Sequence, residues 1–335
     1  MTTPTTVSDP RTATDHAFPR GGSAEDQLRF MLNHAVLAPS VLNTQPWRFA
    51  VEGSEVRLCA DRTRQLHAVD PAGRGVAVSC GAALMNLRLA VHHYGYAAPY
   101  ALLPDAGDPD TLARLGLGSP ERASADDDAL FHAIVRRHTE HRPFGPDRIA
   151  PGVLAVLHAE AEREGARLVA FEGPDETDAV AALVARAVRA QGADPEQRDE
   201  LRAWLRADDD PRPDGVPDAE QDLRGRRTGS RVPADVHADT VERLAADSPV
   251  LVVVTTTQDS VAAWVAAGQA LQRVLLRATL FGLSASFLNP AVEVDAVRER
   301  LLRLTGGAFP QAVLRMGTPV PHGGTPRRRV SDVSS

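Results

Sequence analysis

The chain has 335 residues, 43% of them hydrophobic, enough to fill the core of one large domain or two of ordinary size. Its 37 basic residues stand against 44 acidic ones, so it lacks the global positive field that nucleic acid or an anionic membrane selects, and neither is expected as a partner. Every one of those basic residues is Arg: without Lys there is no Schiff-base or pyridoxal lysine, no phosphate-loop lysine and no kinase lysine, and an anion must be held by guanidinium, backbone N–H or hydroxyl groups.

In chain order, residues 1–23 are Thr-, Pro- and Gly-rich, show no periodicity and hold no apolar run like that of a signal peptide. They are expected to form a disordered tail, and the protein to be cytoplasmic. Ser23 then suits a helix cap, with Leu28, Met31, Leu32 and Ala35 on one face until Pro39. Strands are expected near Trp47–Val51 and Val56–Ala60, as a hairpin. Cys80, Ala83, Leu84, Leu87, Val91 and Tyr94 line a long helix that stops at Gly95, before a strand near Ala97–Leu103. Residues 24–104 make a first half, and the Asp-, Gly- and Pro-rich stretch 105–128 reads as a linker.

The second half, 129–321, is expected to hold helices near Ala129–Arg136, Gly152–Glu164, Thr177–Ala190 and Glu196–Ala207, with strands near Arg167–Phe171 and Val250–Thr255. A long helix from Val261 to Phe281, a strand near Leu283–Leu288, a helix near Val294–Leu304 and a strand near Ala312–Gly317 complete it, and 322–335 reads as a second tail. Residues of about 208–236 are acidic, then basic, with Pro and Gly throughout; so long an aperiodic stretch inside a compact chain is either disordered or a functional cover. At one constant offset, Gly81, Leu84, Leu87, Leu89 and Gly95 match Gly268, Leu271, Val274, Leu276 and Gly282. Each copy ends a long helix in Gly and enters a strand, which points to a duplicated α+β unit.

Two motifs carry chemistry. In Pro39-Ser40-Val41-Leu42-Asn43-Thr44-Gln45-Pro46-Trp47, two prolines bracket Ser, Asn and Gln, which offer donors and acceptors to a planar heterocycle or simply cap the loop. In Arg136-Arg137-His138-Thr139-Glu140-His141-Arg142-Pro143-Phe144, guanidinium forks and a hydroxyl suit a phosphate, or make a solvated basic turn. Pro326-Arg327-Arg328-Arg329 is a further basic cluster. Cys59 and Cys80 lack the spacing of a disulfide framework or zinc site, and the histidines at 92, 93, 132, 138 and 141 lack an evident carboxylate partner, so no metal is expected. Asp126–Asp128 and Asp208–Asp210 read as solvated charges, and no GxGxxG opens a helix.

Together, PSVLNTQPWRF, RRHTEHRPF, the paired G-x-A-L helices and the terminal PRRR resemble the nitroreductase superfamily, and within it the Acg-like branch of FMN-binding proteins. The resemblance implies an α+β nitroreductase-like fold with two degenerate halves fused as an intrachain pseudo-dimer, hence a monomer. It implies FMN as cofactor, NAD(P)H as reductant and a small planar acceptor such as a nitroaromatic or quinone, the flavin carrying the chemistry without a catalytic side chain. By position, Ser40, Asn43 and Gln45 would lie along the flavin ring and ribityl chain, while Arg137, His138, Thr139 and Arg142 would surround the phosphate together with Arg327 and Arg328. Thr139 stands where the family has Ser, His141 and Arg142 compete for one role, and Arg315 could face flavin or core. The first half keeps the Pro-Ser loop and the second the Arg segment, so one composite site is implied. A cover at 208–236 would separate turnover from the alternative, an FMN-sequestering protein with little activity.

Overall fold

Ser23 opens the first helix by a reciprocal cap: its hydroxyl accepts from the Asp26 N–H, and the Asp26 carboxylate accepts from the Ser23 N–H. The computed structural model describes residues 9–145, 147–207, 210–217, 234–319 and 326–335. After α1 (Ala24–Ala35) come β1 (Trp47–Glu52), β2 (Glu55–Ala60), α2 (Arg74–His93), β3 (Tyr100–Leu102), β4 (Thr111–Gly116) and α3 (Ala125–Ala133). The second half runs α4 (Pro151–Arg163), β5 (Arg167–Phe171), α5 (Pro174–Ala193), α6 (Pro195–Ala203), a short pair β6 (Leu205–Arg206) and β7 (Val216–Pro217), then α7 (Ala234–Ala246). It closes with β8 (Val250–Thr256), α8 (Val261–Leu280), β9 (Ser284–Phe287), α9 (Pro290–Glu293), α10 (Asp295–Leu304) and β10 (Phe309–Gly317).

The two four-stranded sheets have the same topology. Their orders, β1-β2-β4-β3 and β5-β8-β10-β9, both read first, second, fourth, third along the chain, with every neighbouring pair antiparallel. In each half a helix precedes the first strand and the long helix joins the second strand to the third, so the expected α+β class and the repeat both find a structural counterpart. The difference between halves is in insertions: α5 to α7 lie between β5 and β8, where the first half has a two-residue turn. They cover the outer face of the second sheet, so all seven residues of β8 are buried, whereas β1 alternates between buried and more exposed residues.

The long helices α2 and α8 pack against each other at the repeated glycines. A Cβ on Gly81 would run into the carbonyl oxygen of Val265, and one on Gly268 into that of Val78. Val78 and Val265 stand at the same offset as Gly81 and Gly268, so each helix makes the same contact on the other, the reciprocity of a two-fold axis. Side-chain-free glycines are what permit this approach.

Three expectations require correction. The stretch 105–128 is no linker: it holds β4, an inner strand whose Thr111, Leu112, Ala113 and Leu115 are buried, and the start of α3. Its six residues do not alternate cleanly and are flanked by Asp, Gly and Pro, which hid it. The N-terminal stretch is packed from Asp9 onward, because Phe18 stacks on Tyr94 with ring centroids 3.9 Å apart and Pro10 is buried. A single aromatic anchor carries no periodic signal. The C-terminal stretch is ordered from Pro326: Phe49 N–H donates to Val333 O (2.8 Å) and Ser335 N–H to Phe49 O (3.1 Å), which covers the open edge of β1. Residues 1–8 and 322–325 lie outside the described residues.

Among the described residues one helix, α2, is long and apolar enough to cross a membrane, and 83% of its apolar window is buried inside the fold. Where α2 begins, a half-buried carboxyl faces the other half. Burial pushes Glu293 up to about 7, with Asp70 adding to the shift while Gln191 (2.8 Å) and Arg74 oppose it. The folded chain therefore keeps this proton over a range where the unfolded chain has lost it. Stability should fall as pH rises from about 4.5 to about 7 and then level off, by no more than about 3 kcal/mol. Denaturant titrations between pH 5 and 8 should show Glu293→Gln with a flatter profile than wild type; parallel profiles would refute the assignment.

Candidate functional site

Between α1 and β1 the Pro-Ser loop takes an unusual backbone. Leu42, Asn43 and Gln45 all have positive φ (45°, 54° and 51°), three of the four such non-glycine residues among those described. Left-handed conformations cost L-residues roughly 1–2 kcal/mol each, so the surroundings must hold the loop in place, and such strain gathers at functional sites. The Ser40 hydroxyl accepts from Gln45 N–H (2.9 Å), and the Arg64 guanidinium donates to Thr44 O (2.5 Å). The α4-to-β5 connection at the corresponding place in the second half is only 164–166, too short for such a loop.

Two segments from far along the chain close on this loop. Asn43 Nδ2 donates to Gly215 O (3.2 Å) and Pro326 O (3.3 Å). Gln45, fully buried, donates from Nε2 to Pro213 O (2.8 Å) and accepts at Oε1 from Arg328 N–H (2.9 Å). Arg64 pairs with Asp214 and lies over the Trp204 ring at 5.2 Å. Of the expected cover, 210–217 thus sits on the loop and 234–236 begin α7; 208–209 and 218–233 lie outside the described residues. Arg327 bonds to the same Pro326 carbonyl (3.0 Å).

The Arg segment forms a second group. Thr139 bridges to Ala285 and Glu140 N–H donates to Ala285 O (2.9 Å), which adds the segment to the edge of β9. From β10, Arg315 donates to the carbonyls of Glu140, His141 and Arg142 (3.1, 2.9 and 2.9 Å) and lies over the Phe144 ring. It is 1% exposed and positions the segment. Arg142 is engaged by the fully buried Glu140 (Nε to Oε1, 3.2 Å), and His138 by Ser284 (3.4 Å).

Arg137 differs from these. It is buried, Thr139 Oγ1 at 3.5 Å is the one hydrogen-bond partner of its side chain among the described residues, and its Nε has none. Burial draws its guanidinium down to about 10, and the charge of Arg11 adds to the effect. A buried cation beside a second cation and without a carboxylate is costly by several kcal/mol unless an anion sits there. Asn43 Oδ1, Trp47 Nε1 and Arg315 Nη1 are also buried without partners. Such atoms also occur elsewhere in the fold, as in Gln27, Arg88 and Gln272, but those of Asn43, Trp47 and Arg137 lie in the two motifs, and their chemistry fits an anionic group with a polar ring system. No hydrogen bond or ion pair described above joins the loop group to the Arg group; the chain links them, since Gly145 N–H bonds Thr318 O (3.1 Å) and Pro326 reaches Asn43.

Arg11, Arg64 and Asp214 escaped sequence reasoning. Each acts through a partner remote in the chain, and no local spacing marks it. Beside the loop lies a shallow cleft between the halves, lined by Val41, Thr44, Asp70 and Arg74 on one side and Asn289 and Glu293 on the other.

No family model matches the chain. It is 33% identical over 326 residues to a Mycobacterium tuberculosis H37Rv protein named "Putative NAD(P)H nitroreductase Rv3131", covering 92% of this chain and 91% of that one. It is 28% identical to "Putative NAD(P)H nitroreductase acg" of the same organism, over 92% and 95% of the two chains. A solved BluB-like flavoprotein of Clostridium difficile overlaps 62% of this chain and 97% of its own at 16% identity and a TM-score of 0.41, too loosely to bear on the site. With one residue in three shared along nine-tenths of the first of these relatives, the chain belongs to the nitroreductase superfamily, in the branch that includes Acg.

Proposed function

We propose that the chain binds one FMN in a composite site between its halves and works as an NAD(P)H-dependent oxidoreductase on a small planar acceptor of the nitroaromatic or quinone type. The buried, carboxylate-free Arg137 carries the reading, because a cofactor phosphate is the anion it lacks. Arg11, Thr139 and Arg327 would complete the phosphate cradle, and the Pro-Ser loop with Asn43 would border the ring. FMN, when bound, supplies the hydride and electron transfer. The chain's own part is to hold the phosphate, fix the ring edge and limit water. The matched sheets and reciprocal glycines support a fused pseudo-dimer, so a monomer is proposed; a stable dimer on a sizing column would count against it. The relatives' names support NAD(P)H as reductant. A cytoplasmic location is proposed with it.

A second reading, FMN sequestration with little turnover, is favoured by the cover. The carbonyls of Pro213 and Gly215 occupy the amide donors of Gln45 and Asn43, and Arg64 clamps Asp214. An anaerobic visible spectrum with NADPH, NADH and then dithionite separates the two. Bleaching by a nicotinamide supports the oxidoreductase; bleaching by dithionite alone supports sequestration; a colourless protein that takes up no FMN defeats both. Asp214→Asn weakens the clamp and spares the Arg64 bond to Thr44, so under sequestration it should speed reduction by NAD(P)H about tenfold or more. An unchanged rate would remove the cover from the account.

A further inference from the structure

Away from the loop and the Arg segment, the C-terminal end of α2 meets α3 in a cluster that the proposed activity does not use. His93, at the end of α2, stacks on Phe131 with centroids 3.8 Å apart and planes 10° from parallel, so its ring orientation is fixed. Its Nδ1 lies 2.6 Å from Asp128 Oδ1, and its Nε2 lies 3.2 Å from Asp15 Oδ1 in the packed N-terminal segment. Asp128 and His132 stand four residues apart on one face of α3, and His132 Nε2 is 3.7 Å from Asp128 Oδ2. One nitrogen of each His and one oxygen of Asp128 fall within 4.8 Å of one another. The carboxylate that the sequence did not reveal for these histidines is Asp128, brought to His93 by helix packing.

We propose that His93 Nδ1, Asp128 and His132 Nε2 form a site for one zinc-class divalent transition-metal ion, with water as a fourth ligand. Two imidazoles and a carboxylate are a ligand set for zinc, at about 2.0–2.2 Å per bond. Ligand atoms on one tetrahedral ion then stand roughly 3.3 Å apart, so His93 Nδ1 and Asp128 Oδ1 open slightly from 2.6 Å while His132 closes in. His132 can make that movement, since its side chain is 56% exposed, while His93 and Asp128 are already in contact. Asp15 fits the outer position: a metal-bound imidazole donates its other N–H to a carboxylate, which fixes the tautomer that turns the opposite lone pair to the ion. The ion displaces the proton shared between His93 Nδ1 and Asp128, and the proton goes to solvent. Asp15 would thereby tie the segment from Asp9 to Phe18 to the metal.

The test is a titration of the full-length, chelator-treated protein with Co²⁺, read by its visible d–d bands, followed by Zn²⁺ competition. One Co²⁺ per chain, displaced by Zn²⁺, is expected. His132→Ala and Asp128→Asn should each weaken binding at least tenfold, and Asp15→Asn about tenfold through the outer shell. His158→Ala, which removes a half-buried His whose side chain pairs with Glu162 and the Leu168 carbonyl, should change nothing. His132 is the decisive variant because its loss opens no core; its melting curve without metal should match wild type. No uptake, or uptake that His132→Ala and Asp128→Asn leave unchanged, would overturn the proposal and leave a hydrogen-bonded packing cluster.

Discussion

Arg137→Met should lose FMN and gain stability at once. In the ligand-free chain the guanidinium is buried with one long hydrogen bond to Thr139 and the like charge of Arg11 nearby. An apolar side chain of similar length removes that desolvation cost, so the ligand-free variant should unfold at higher denaturant by roughly 1–2 kcal/mol. Removing one partner of a buried charged pair costs a complex about 2–5 kcal/mol, so FMN affinity should drop at least thirtyfold. Arg137→Lys should fall between, because an ammonium cannot reproduce a planar fork on phosphate oxygens. FMN fluorescence quenching at fixed ionic strength and urea unfolding of the ligand-free proteins measure the two halves of the claim. Wild-type FMN affinity in Arg137→Met would sink the phosphate assignment; wild-type affinity together with lost stability would make Arg137 a structural residue.

What the sequence made legible follows from how local each signal is. The cap at Ser23, the hairpin at β1 and β2 and the long helices depend on neighbours within a turn or a strand, and they stand close to their predicted places. β4 depends on β2 and β3 to be a strand at all, and its flanking turn residues spoke for a linker. The same divide runs through the site. Asn43, Gln45 and Arg137 sit in dense motifs and stood out, whereas the use of their atoms did not: the bonds from Gln45 to Pro213 and Arg328 join positions 168 and 283 residues away. Arg315 was left between flavin and core, and only its three bonds to the segment's carbonyls show it acting through the backbone. Asp128 read as a solvated charge because nothing in its own helix reveals His93.

The other large effect belongs to the glycine contact between α2 and α8. In an exposed helix interior, Gly→Ala stabilises by about 1 kcal/mol. At Gly268 the new Cβ would instead overlap the Val78 carbonyl and approach Gly81 Cα to 2.9 Å, and backbone atoms cannot rotate away. The helices must move apart along their whole contact, at a cost of roughly 3–5 kcal/mol once overpacking and lost core packing combine. Gly81→Ala should cost about the same, because the contact is reciprocal. Gly152→Ala, with nothing within 4 Å of its Cβ, is the control and should be neutral or slightly stabilising. The double variant is the sharper test. Once one methyl has separated the helices the second finds room, so the pair should cost clearly less than the two single losses combined. Strict additivity in urea unfolding would mean that the two glycines relax independently and do not share one crossing. FMN affinity should fall in all three helix variants, since the proposed site draws its loop from one half and its arginines from the other, and this crossing sets the distance between them.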